Sequence, residues 1–145
     1  MRVYEVMTKA VSTVKPAVLA SEAKNRMRQE HIHHLVVTEG SELKGVVSER
    51  DLGGPKLPRI LGKWTVEDLM TTPVVTVTSR TPVRRAASLM RGRSIGSLVV
   101  TSANGKVAGI VTVANLLNLL ERAPQRGSGK ERRRARARID EAWDE

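Results

Sequence analysis

Ile32-His33-His34-Leu35-Val36-Val37-Thr38 and Ile95-Gly96-Ser97-Leu98-Val99-Val100-Thr101 stand 63 residues apart and end in the same Leu-Val-Val-Thr run. Moving outward at that offset, Val3 meets Val66, Met7-Thr8 meets Met70-Thr71, and Thr13-Val14 meets Thr76-Val77. Ala23 meets Ala86, and Met27-Arg28 meets Met90-Arg91. Between residues 3 and 38, 14 of 36 positions are identical, where ordinary background frequencies give about two by chance. One extra residue in the second copy then moves the offset to 64, and Gly45, Val47 and Leu52 fall on Gly109, Val111 and Leu116. The chain is a duplication, and repeats of this kind decide the fold before any single element does. The copies occupy residues 1–53 and 65–122, joined by 54–64 and followed by a stretch, 123–145.

Each copy reads as a mixed α/β (α+β) unit of order β-α-β-β-α, opened by a short helical turn. In the second copy Thr65 with Asp68 resembles a capping box. A strand follows at 11–14 or 74–77, then a helix near 18–29 or 82–91. Thr81-Pro82 supplies an N-cap and first helical position, and Gly92 a stop. Two strands come next, 34–38 with 43–47 and 97–101 with 106–111. Asn104-Gly105 is the tight-turn signal of the second hairpin, and residues 39–42 serve the first. The last helix is expected from Glu49 in one copy and from Val113 to Leu120 in the other. Leu98-Val99-Val100 is apolar at successive positions, so both faces of that strand are expected to be covered. Leu116, Leu117, Leu119 and Leu120 form a stripe wide for a solvent-facing helix, which points to packing on another copy or chain.

Composition narrows the chemistry. Among 145 residues there is no Cys and no Phe, with one Tyr and two Trp, so branched aliphatics build the core. Disulfides, thiolate metal sites and cysteine nucleophiles are excluded. No apolar run approaches the roughly 20 residues of a membrane helix, and no apolar leader opens the sequence; a cytoplasmic protein is expected. The formal charge is +10, which suits an anionic partner or plain solubility. Seven basic groups and one acid fall within residues 126–138. That run follows Pro124 and Gly127-Ser128-Gly129 and reads as a solvated, flexible end. Nucleic-acid binding through Lys130 to Arg138 is the competing reading, weakened by the lack of interleaved aromatics.

The chemistry concentrates at Gly45-Val46-Val47-Ser48-Glu49-Arg50-Asp51. Gly45 permits close approach of a ligand or a backbone. Ser48 sits where the strand ends, beside amides that can take an anion. Asp51, one turn on, can accept hydrogen bonds from a pair of ribose hydroxyls, and Arg50 can meet a phosphate. Ser48 and Asp51 serve equally well as a simple capping pair. Among His31, His33 and His34, the first two could share a face of an extended segment, but the sequence places no third ligand beside them, so no metal site is assigned. No P-loop, catalytic triad or paired catalytic carboxylates are recognised, so no enzyme activity is expected.

A duplicated unit of this length, each copy ending in Gly-apolar-x-Ser/Thr-x-x-Asp or its Asn variant, resembles a CBS-domain pair (Bateman module), the module named after cystathionine beta-synthase. The resemblance covers residues 1–122. It implies two pseudo-two-fold clefts between the copies, adenine nucleotides or S-adenosylmethionine as regulatory ligands, and a homodimer. Carried onto this sequence, cleft one comprises Ser48, Arg50, Asp51, Gly45 and Val47. His33 and His34 stand at a position that in similar proteins touches phosphate, and Met70, Thr71, Val75 and Ile95 come from the second copy. Cleft two, expected to be weaker, comprises Thr112 and Asn115 with Met7, Thr8, Ser12 and Ile32. There Asn replaces Asp, Ala114 replaces Arg50, and Gly96-Ser97 replaces His33-His34. The expected function is a sensor of adenine nucleotides, AMP first and then ADP, ATP or S-adenosylmethionine, that signals to a partner protein and needs no cofactor. The alternative is a nucleic-acid-associated protein whose Arg-rich tail binds phosphate.

Overall fold

The computed structural model describes residues 1–53 and 63–122; most of the joining segment and the whole basic stretch lie outside the described residues. After a 3-10 turn (Val3–Glu5), the first copy runs β1 (Thr13–Val14), α1 (Ala20–Glu30), β2 (His34–Glu39) and β3 (Glu42–Ser48). The second runs α2 (Val66–Leu69), β4 (Thr76–Thr78), α3 (Val83–Arg93), β5 (Ser97–Thr101), β6 (Val107–Thr112) and α4 (Val113–Arg122). Each copy makes one three-stranded sheet, β1-β2-β3 and β4-β5-β6, with a parallel first pair and an antiparallel hairpin. No helix among the described residues is long and apolar enough to cross a membrane.

The central strands explain the doubled apolar run. Successive side chains of a strand point to opposite faces. Leu35 and Val37 therefore enter a core under α1, and Leu98 and Val100 a core under α3. Val36 and Val99 face the other way and meet each other's copy, with Val46 and Ile110, in a third apolar cluster between the two sheets. All six of those central-strand residues have no exposed surface.

The copies also exchange their leading segments. Val3 is buried in the second copy's core and Val66 in the first copy's. The hydrogen bonds repeat at the 63-residue offset. Val3 N–H donates to Thr81 O (2.8 Å) as Val66 N–H does to Val18 O (2.8 Å), and Tyr4 N–H to Ser79 O (2.9 Å) as Glu67 N–H to Pro16 O (3.0 Å). Beyond them, Thr8 pairs with Ile110 in both directions (2.8 and 3.0 Å), and Thr71 with Val46 (2.8 and 3.3 Å). Fully burying a valine is worth roughly 1.5–3 kcal/mol, so neither core is complete without the other copy.

Several boundaries differ from expectation for local reasons. The helix expected from Glu49 is only a hydrogen-bonded turn through Gly53, which adopts φ 82° and is followed in sequence by Gly54-Pro55. Its counterpart α4 contains neither Gly nor Pro and continues for 10 residues. Helix α3 does not stop at Gly92 but runs to Arg93; Ser94 turns the chain at φ 53°, as His31 does at φ 55° after α1. These turns let Ile95 and Ile32 fold back onto Met90 O and Met27 O, both at 3.0 Å. Thr81 does not cap α3; its hydroxyl accepts the Thr78 N–H instead, and Val83 N–H donates to Met1 O of the exchanged segment (3.0 Å). The Thr65–Asp68 capping box is present, with Asp68 accepting from Thr65 N–H at 2.9 Å.

Two glycines admit the exchanged segments to the sheets. A Cβ on Gly109 would lie 2.7 Å from Met7 Sδ and 2.9 Å from the Thr8 carbonyl, and one on Gly45 2.7 Å from Met70 Sδ and 3.1 Å from Thr71 O. Backbone yields less than a methionine side chain. Gly109→Ala is therefore expected to cost about 1–3 kcal/mol by overpacking and Gly45→Ala less, as read from urea unfolding midpoints. An unchanged midpoint for Gly109→Ala would contradict this packing.

Candidate ligand clefts between the repeats

The exchange brings the end of each hairpin against the other copy's leading segment. At the end of β3, Ser48 N–H donates to Asp51 Oδ2 (2.9 Å) and Asp51 N–H donates to Ser48 Oγ (3.0 Å). This reciprocal pair holds Asp51 in place although no helix follows. Thr71, from the other copy, donates its hydroxyl to the same Oδ2 at 3.4 Å. Oδ1 has no partner among the described residues and is available as an acceptor.

Around this carboxylate opens a cavity of about 580 Å³. The first copy supplies its polar side: His33, His34, Ser48, Glu49, Arg50 and Asp51. The second supplies a largely apolar side, with Thr71, Pro73, Val74, Val75 and Ile95, closed by Ser94, Gly96 and Ser97. His33 Nδ1 hydrogen-bonds Glu49 Oε2 at 2.6 Å. His34 pairs in register with Ser48. Burial, and then the neighbouring His33, push its imidazole below the ordinary value, while Asp51 pulls the other way.

A second cavity, about 340 Å³, lies around the equivalent end of β6. Asn115 Oδ1 accepts from Thr112 N–H (2.7 Å) and the Thr112 hydroxyl (3.0 Å). Asn115 N–H donates to Thr112 Oγ1 (3.3 Å), and Nδ2 donates to Thr8 Oγ1 (3.2 Å). His33, His34 and Gly96 line both cavities, so the wall between the two clefts is shared.

Residues 3–52 and 66–122 each match the CBS domain model. The chain belongs to the CBS-domain family. A CBS domain-containing protein of Dictyostelium discoideum is 32% identical over 130 residues, covering 81% of this chain and 90% of that protein. Among solved structures, the CBS domain pair of protein MJ0100, in complex with 5′-methylthioadenosine and S-adenosyl-L-methionine, is similar at a TM-score of 0.75 and 25% identity, over 83% of this chain and 96% of that one. CBSX2 in complex with AMP is similar at 0.69 and 29% identity, over 82% and 95%.

Within this CBS pair, most residues singled out from the sequence line the two cavities, and four do not. Val47 has no exposed surface and packs in the first core; strand alternation that turns Ser48 to the cleft turns Val47 away. Gly45 is covered by Met70 and Thr71 rather than open to a ligand, so its role is the backbone approach. Met70 and its counterpart Met7 press on those glycines and on the cores, off the cavity walls. Pro73, Val74 and Ser94 line cleft one without having been singled out. Their 63-residue counterparts Ala10, Val11 and His31 line cleft two, so the repeat register was the signal that could have found them.

The depressed His34 group has a pH consequence. The unfolded chain takes up this proton near the ordinary value of about 6.5 and the folded chain only at lower pH, so the group's stabilising contribution is full above about 6.5 and is lost as pH falls below it. His34→Gln is expected to flatten the fall in urea midpoint between about pH 7.5 and about pH 5.5. Equal slopes for wild type and variant would show that the folded state does not favour the neutral ring.

Proposed function

We propose that this CBS pair is a regulatory module, not an enzyme, that binds an adenine nucleotide in cleft one, with AMP the first candidate and ADP, ATP and S-adenosylmethionine the others. The observation that carries the reading is the free Oδ1 of Asp51 at the rim of a cavity whose opposite wall is apolar and belongs to the other repeat. In this reading a ribose hydroxyl donates to Asp51. The base lies against Val75, Ile95 and Pro73, and phosphate meets Arg50 and the histidine pair. The ligands of CBSX2 and MJ0100 support an adenosine compound. Because the ligand touches both copies, occupancy shifts the population of one inter-copy arrangement. That shift is passed to a partner protein, in the cytoplasm, and no cofactor is required.

Helix α4 supports a homodimer as the signalling unit. Val113, Leu117 and Leu120, spaced along one stripe, are 46%, 59% and 72% exposed. A second copy offers the same stripe, which is the self-complementary arrangement of a two-fold interface.

Calorimetric titration of the whole chain with AMP, ADP, ATP and S-adenosylmethionine tests both parts when run beside sedimentation. One of the four is expected to bind, and Asp51→Asn, which keeps the local hydrogen-bonded turn as Asn115 does, is expected to weaken it about tenfold to a hundredfold, the worth of a hydrogen bond to a charged group. Absence of heat with all four would overturn the nucleotide reading. The sedimenting species is expected to be two chains and to become one in Leu117→Glu/Leu120→Glu; a wild-type monomer would remove the dimer.

A further inference from the structure

The two clefts share a frame but not a charge. Where the first copy carries Glu49-Arg50-Asp51 after its hairpin, the second carries Val113-Ala114-Asn115. Three ionisable positions are thus neutral on the same turn. Among the described residues lining cavity two there is no Asp, Glu, Lys or Arg. Its walls are largely apolar, with Val11, Ile32, Val36, Ile110 and Val113 facing the space.

The polar groups that remain are short of anion-binding capacity. The amides at the start of α4 are partly spent: Val113 N–H donates to Gly96 O (3.1 Å) and Asn115 N–H to Thr112 Oγ1. Asn115 Oδ1 already accepts twice, so it cannot repeat the open acceptor that Asp51 Oδ1 offers. Of the two histidines in the shared wall, His34 is held toward its neutral form by burial, and His33 turns its Nδ1 to Glu49 on the cleft-one side. A phosphate placed here would lose its hydration with no lysine or arginine to compensate, which is costly. What the site does offer is apolar contact, the second N–H of Asn115 Nδ2, the Thr8 hydroxyl beside it, and the His31 ring and Ser12 hydroxyl in its lining.

We infer that cleft two takes an uncharged nucleoside-type ligand, a flat heterocycle on a hydroxylated ring without phosphate, while cleft one takes the phosphorylated form. The inference rests on the adenosine reading proposed above and extends it to a division of labour. One chain would report the ratio of a nucleotide to its dephosphorylated or otherwise neutral relative.

The test is calorimetry of the whole chain with adenosine and with AMP, in wild type, Ala10→Trp and Ala114→Arg. Ala10 is exposed and lines only cavity two, so an indole there fills that cleft alone. Adenosine is expected to bind at one site per chain, cleft two, and to lose it in Ala10→Trp. AMP is expected to bind at one site, unaffected by Ala10→Trp. Ala114→Arg, which places a guanidinium where the first copy has Arg50, is expected to open a second AMP site at least about tenfold tighter than any residual wild-type binding there. Adenosine stoichiometry indifferent to Ala10→Trp would overturn the inference. So would a wild-type AMP site that Ala10→Trp removes. If AMP binds nowhere while adenosine still loses a site in Ala10→Trp, the nucleotide reading of cleft one falls and the neutral site stands.

Discussion

The reciprocal pairing of Thr8 with Ile110 and of Thr71 with Val46 holds the rest of the structure together. Each repeat sends its leading segment across to the other, so that Val3 with Val6 and Met7 finishes the second copy's core, and Val66 with Leu69 and Met70 the first copy's. A three-stranded sheet with one helix on it has an uncovered face; here that face is covered by the other copy through Val36, Val46, Val99 and Ile110. The clefts are by-products of the same pairing. Thr71 can reach Asp51, and Thr8 can reach Asn115, because those threonines are themselves pinned to the foreign hairpin at Val46 and Ile110, two residues before Ser48 and Thr112. The two halves therefore cannot separate without dismantling the sites, and a ligand in a cleft bears on their relative placement.

Much of this is legible in one sequence because the duplication doubles every signal. The 63-residue register places the strands and both core helices, its step to 64 places the paired motifs, and the unbroken apolar run Leu98-Val99-Val100 implies two covered faces. What escaped depends on contacts between distant segments. Nothing local says that Met70 settles on Gly45 instead of entering the cavity, or that Thr81 gives up its capping role while Met1 takes the helix amide. Two other features are local: alternation alone puts Val47 opposite Ser48, and Gly53-Gly54-Pro55 argues against a helix after Glu49. The motif was legible as a hydrogen-bonded pair, but its orientation toward an apolar wall from the other copy belongs to the fold.

The pseudo-two-fold frame also shows how far two copies can drift in chemistry while keeping one geometry. Ser48–Asp51 and Thr112–Asn115 make equivalent reciprocal hydrogen-bond pairs, yet one leaves a carboxylate oxygen free while the other's amide oxygen already accepts twice. Across the axis, His33-His34 faces Gly96-Ser97, and the imidazole of His34 occupies a wall common to both cavities.

The central claim is that a nucleotide in cleft one is held by both repeats at once. Amide hydrogen exchange with and without saturating AMP addresses it directly. The account predicts slowed exchange at Ser48 to Asp51 in the first copy together with Val75 and Ile95 to Ser97 in the second. Protection confined to one copy, or none at either, would contradict it.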